Sequence, residues 1–200
     1  MTMTKRLTLC AMLTAVALAL SYLENLFPIS LAIPLPGIKL GLANIVTLFA
    51  LYALGDVPAL MILICRCLLG SLFAGNLNAL IFSIFGGLSA MGMMILLSKL
   101  DRLSVYGVSI GGAAAHNCGQ IAAAIVTFGN AAPLSYLPVL LIASLLTGAM
   151  TGLVAAYLFQ ALRHTGIMGM MTENLSGGNA ITENQSGGNG VTENQSDGNT

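Results

Sequence analysis

Residues 33–47 read IPLPGIKLGLANIVT, and the fold turns on how that stretch is taken. Pro34 and Pro36 each push the residue before them out of the helical region, so the run opens extended. It then passes through Gly37 and Gly41 into an apolar helix. Lys39 and Asn44 enter surroundings that are otherwise hydrocarbon. A chain this poor in charge has little reason to place one at a helix entrance unless it meets something there. Two readings stay open. Either Lys39 snorkels to lipid headgroups and Asn44 bonds a neighbouring helix, or both face a ligand.

The flanking chain has the composition of an integral membrane protein. Of its 200 residues, 56% are hydrophobic and only 7% charged, with a mean hydropathy of +0.89. A soluble domain carries about a quarter charged residues. Net charge is zero but unevenly spread: all seven basic residues lie within 1–165, against Glu24, Asp56 and Asp101, and the tail holds the other four acids. Cys10, Cys65, Cys67 and Cys118 all lie in apolar segments. On a helix Cys65 and Cys67 point about 200° apart and cannot chelate one metal together. All four read as small buried apolar residues, and no metal site is expected. Lys5 and Arg6 precede an apolar run that resembles a signal-peptide core, but no convincing A-x-A cleavage site follows it and the run is long enough to be a first span.

Six apolar segments can be drawn, each near the roughly 17–25 residues that a helix needs to cross a bilayer. They run from about Leu7 to Leu23, Ile38 to Leu54, Val57 to Phe73, Ala79 to Leu97, Val105 to Phe128 and Leu134 to Leu162. The second and third are short and flanked by Gly or Pro, so a re-entrant reading stays open for both. The expected fold is an all-α integral membrane protein, a bundle of about six transmembrane helices. With the N-terminus inside, Lys5, Arg6, Lys99, Arg102 and Arg163 fall on the cytoplasmic side and only Lys39 on the other, which satisfies the positive-inside rule. Both termini are then cytoplasmic.

The membrane domain occupies residues 1–165. In 166–200, TENLSGGN, TENQSGGN and TENQSDGN begin at Thr172, Thr182 and Thr192, a ten-residue repeat. Such a polar tract buries too little apolar surface to fold, so a disordered cytoplasmic tail is expected. Its N-x-S sequons at Asn174, Asn184 and Asn194 would meet no glycosylation enzyme there.

Helices associate in lipid where small residues four apart let backbones approach. Gly107, Gly111, Ala115, Gly119 and Ala123 form one such ladder, and Ser144, Gly148, Gly152 and Ala156 another; both read as internal packing. The stripe Ala11, Ala15, Ala19 on the first segment is either packing or an outward docking surface. Periodicity does not choose.

Polar residues inside the apolar segments are the candidate site. Arg66, near the middle of the third, must face protein, water or an anion, because an unpaired arginine there costs at least about 2.5 kcal/mol. A structural ion pair, with Glu24 if the bundle brings it near, and a ligand contact both stay open. His116, Asn117 and Gln120 sit at about 0°, 100° and 40° around the fifth helix, one polar face suited to hydrogen-bonding a polar head or to linking helices. Lys39 and Arg66 together would hold an anionic or phosphate-bearing head. No P-loop, no Asp-rich magnesium pair and no nucleophile–base–acid set is present, so active transport or catalysis would require a partner chain, and the chain is not expected to be an enzyme.

At PGIKLGLANIVTL (36–48), RCLLGSLFAG (66–75), SIFGGLSAMGMM (83–94) and GAAAHNCGQ (112–120) the chain resembles the Gx transporter family, also catalogued as heptaprenyl diphosphate synthase component I. That family is similar to the substrate-binding S components of energy-coupling factor (ECF) importers. The resemblance covers about Lys5 to His164. It implies an S-component-like six-helix bundle in the bacterial cytoplasmic membrane, with a pocket opening outward to a small-molecule substrate. It implies a transmembrane coupling subunit and ATPase subunits as partners, with no cofactor and no nucleic acid. Ala11, Ala15 and Ala19 match the A-x-x-x-A pattern with which S components dock onto the coupling subunit. Lys39, Asn44, Arg66, His116, Asn117 and Gln120 are the implied pocket residues. The alternative is an accessory membrane subunit of a polyprenyl diphosphate synthase or quinone-precursor pathway; a stand-alone permease is a third.

Overall fold

The computed structural model describes residues 3–26, 41–100 and 102–164. Lys39 and the repeat tail lie outside the described residues. Six helices follow in order: α1 (Met3–Leu26), α2 (Asn44–Leu54), α3 (Asp56–Ala74), α4 (Leu77–Ser98), α5 (Val105–Phe128) and α6 (Leu137–His164). A short 3₁₀ turn at Ala132–Tyr136 leads into α6, and no strand occurs among the described residues. Four stretches, Thr4–Glu24, Asp56–Ala74, Leu77–Ser98 and Ala132–Ala161, are long and apolar enough to cross a membrane. α5 has 24 residues, but its polar and small side chains keep it out of that set. Leu72, Phe73, Ile142 and Leu146 are among many large apolar side chains left exposed around the bundle. Such a surface suits hydrocarbon as the solvent, not water.

α2 departs from the expected second span. It starts at Asn44, not near Ile38, and its 11 residues extend only about 16 Å at 1.5 Å per residue. That is about half of the hydrocarbon thickness. The cause is local. Gly41 has φ 84°, a left-handed conformation that favours glycine, and Asn44 N–H bonds the Gly41 carbonyl at 2.8 Å, so helical geometry begins only after it. At its other end α2 joins α3 through Gly55 alone, whose φ of 92° and ψ of 179° almost only glycine tolerates. α3, with 19 residues, is by contrast long and apolar enough to cross.

α5 is the centre of the packing, lying against α4 on one side and α6 on the other. Both small-residue ladders are spent there. A Cβ on Gly148 would stand 2.6 Å from the Ile110 Cα, and one on Gly119 would overlap the Phe85 carbonyl. Ser109 Oγ donates to the Gly148 carbonyl at 2.7 Å, and the Asn117 amide to the Leu140 carbonyl at 2.8 Å. The two bonds sit eight residues apart on each helix, in opposite senses, so α5 and α6 run antiparallel. Leu48, Ile62, Leu63, Met91, Met94 and Val108 fill the core between α2, α3, α4 and α5.

α1 stands at the edge, touching α2 and α3 only among the described helices. Ala17 faces inward at 0% exposure, whereas Ala11, Ala15 and Ala19 are all exposed. The cysteines divide in the same way. Only Cys67 is buried, with its thiol toward the Ser83 carbonyl, while Cys65 and Cys118 face outward; burial of all four does not hold. An apolar helix on a lipid-facing bundle has no reason to hide a thiol that lipid accommodates as readily as protein does.

Candidate functional site

Polar side chains from four helices converge beside the start of α2. Glu24, near the end of α1, is 3% exposed, and its carboxylate accepts the backbone N–H of Gly41. Asn44 opens α2, and its Oδ1 accepts from Arg66 Nη2 at 3.2 Å. Arg66, the eleventh of the 19 residues of α3, is 7% exposed, and its Nε makes no hydrogen bond among the described residues. His116 and Gln120, one turn apart on α5, are 4% and 0% exposed.

Glycines make the convergence possible. A Cβ on Gly86 would lie 2.9 Å from His116 Cε1 and 3.0 Å from Gln120 Cγ, and one on Gly41 3.3 Å from His116 Cδ2. The imidazole therefore lies between the chain entering α2 and the middle of α4. A Cβ on Gly87 would stand 3.6 Å from Arg66 Nη2 and 2.9 Å from Leu63. Two glycines in the middle of an apolar helix cost it about 1 kcal/mol each relative to alanine. Here they make room for an imidazole and a guanidinium.

The Glu24 carboxylate and the Arg66 guanidinium attract each other within the cluster. An acid of its own chain thus acts on the Arg66 cation. Arg66 needs that acid: in a low-dielectric interior an uncompensated charge is among the costliest features a fold can carry. The structure thus brings Asn44, Arg66, His116 and Gln120 together. It leaves Asn117 aside, since that side chain points to α6 and its amide nitrogen is taken by Leu140. Lys39 falls outside the described residues. Glu24, which the sequence offered only as a conditional partner, and the pair Gly86-Gly87 complete the cluster. The signal for the pair was glycine inside an otherwise unbroken apolar helix.

Space beside the cluster amounts to about 10 Å³, next to Asn44. The larger hollows, about 420 Å³ between α1 and α3 and about 540 Å³ at the α3–α4 turn, are apolar grooves on the outer surface of the bundle. No cluster of His, Cys, Asp and Glu able to hold a metal occurs among the described residues.

The family model for heptaprenyl diphosphate synthase component I matches residues 13–158, well over half of the chain. The chain belongs to that family. The match runs from within α1 to within α6, takes in every residue of the polar cluster, and excludes Ala11 and the tail. The family's name denotes a component of a synthase. No curated protein and no solved structure matches the chain.

Proposed function

We propose that the protein is the substrate-binding membrane subunit, the S component, of an ECF-type importer. It captures a small molecule from the outer side of the bacterial cytoplasmic membrane and relies on separate coupling and ATPase subunits. The observation that carries this reading is the exposure of Ala11, Ala15 and Ala19 on a helix whose buried residues lie on another face. Internal packing would have put that stripe against α2 or α3; it is instead open to a second membrane protein whose helices can approach closely. The buried hydrogen-bonding groups of Asn44, Arg66, His116 and Gln120 support it further.

A second reading rests on the family's name: an accessory membrane subunit of a polyprenyl diphosphate synthase. Affinity purification from native membranes in mild detergent, with mass spectrometry of the retained proteins, separates the two. Recovery of a membrane coupling protein with paired ATPases, lost in Ala15→Leu, supports the importer. Recovery of a soluble prenyl synthase chain without ATPases overturns it in favour of the second reading.

A further inference from the structure

The small cavity beside the cluster lies between α2, α4, α5 and α6, with Asn44, Ser109 and Thr151 on its polar side and Met94, Gly112 and Ala113 on its apolar side. Its volume of about 10 Å³ is room for one water and no more. Hydrogen-bond accounting around it is one-sided. Asn44 Oδ1 accepts from Arg66, which fixes the amide and leaves Nδ2 as the polar atom that Asn44 offers the cavity. Ser109 Oγ donates its proton to the Gly148 carbonyl, and Thr151 Oγ1 donates its proton to the Thr147 carbonyl at 2.6 Å. A hydroxyl has a single proton, so both oxygens have only lone pairs left to offer. The three groups therefore present one donor and two acceptors. A water molecule accepts one such bond and donates two, and buried waters make about three bonds. A metal cation fits worse, because an amide N–H faces the space and two hydroxyl oxygens are far from a coordination shell.

We propose that one ordered water occupies this cavity, accepting from Asn44 Nδ2 and donating to Ser109 Oγ and Thr151 Oγ1. It ties the start of α2 to α5 and α6 and holds the amide that in turn holds Arg66. The proposal goes beyond the importer reading and stands whether or not a coupling subunit exists.

An experimental structure of the full chain in a lipid nanodisc, at a resolution that shows ordered waters, tests it directly. The expected result is a peak at hydrogen-bonding distance from all three atoms. A Met94 side chain turned into the space, an ion ringed by oxygens, or flat density there while other buried waters are visible would each overturn it. A double-mutant cycle gives a second readout. Thr151→Val and Ser109→Ala are each expected to lower the melting temperature by about 2–4 °C. Combined, they are expected to lower it by clearly less than the sum, because the first has already released the water that the second would lose. Fully additive losses mean a dry cavity and sink the proposal.

Discussion

α1 and α5 each have 24 residues and are held in nearly opposite ways. α5 is enclosed by α4 and α6, with glycines at both seams and hydrogen bonds from Ser109 and Asn117 reaching across to α6. α1 touches two helices, buries little besides Ala17 and Glu24, and is joined to the start of α2 by the bond from Gly41 to Glu24. Hydrophobicity does not explain the difference, since lipid tails are as apolar as leucine and reward no helix for hiding its side chains. Close backbone approach and polar bonds decide which helix is locked. α5 has many of both. α1 has one carboxylate and a bare stripe.

The largest effect is expected where α1 joins the cluster. Glu24→Ala removes the acid facing Arg66 and should cost about 3–5 kcal/mol, read as loss of monodisperse protein in detergent and of thermal stability. Replacing both residues, Glu24→Ala with Arg66→Met, should recover most of that loss. A double variant as unstable as the single one would mean that the two charges do not compensate each other.

At the opposite seam, Gly148→Val drives a branched side chain into the Ile110 backbone. Overpacking of this kind costs about 1–3 kcal/mol, and the melting temperature should fall accordingly. An unchanged melting temperature would show that α5 and α6 are less tightly joined than described. Smaller again is Asn117→Leu, which gives up the bond to Leu140 for about 0.6 kcal/mol, typical of interhelical bonds in membrane proteins. If it abolished substrate capture without lowering stability, Asn117 would belong to the pocket after all.

The smallest effect on stability is expected from Ala15→Leu, within about 0.5 kcal/mol, because the residue is exposed. The same variant should lose its membrane partners on purification. A large loss of stability would show instead that the stripe packs within the bundle.

Much of this contrast was legible in the sequence. The bounds Val105 and Phe128 of α5, the small-residue ladders and the burial of Arg66 and His116 follow from hydropathy, spacing and the cost of polar groups in lipid. Asn117 bonds α6 while its neighbours face the cluster, for a geometric reason. About 100° of rotation around a helix separates it from His116, and α5 has a different helix on each side, so that angle carries one residue to α4 and the other to α6. The late start of α2 was hidden because composition continues apolar through Ile38 and Leu40. What delays the helix is a backbone turn at Gly41 and an acid 17 residues upstream, and no local pattern encodes that pairing.

The shortness of α2 has an electrostatic consequence. Every α-helix carries about half a positive charge at its first turn, and a helix that spans the bilayer leaves that pole among headgroups and water. α2 begins inside the bundle, so its pole is buried where the Glu24 carboxylate takes the Gly41 N–H. Part of the compensation for this acid is therefore made of peptide dipoles, which no side-chain substitution removes. Removing Arg66 leaves Glu24 still facing that pole, whereas removing Glu24 leaves the pole and the guanidinium together without a counter-charge. The two single variants should differ, with the loss of the acid the more damaging.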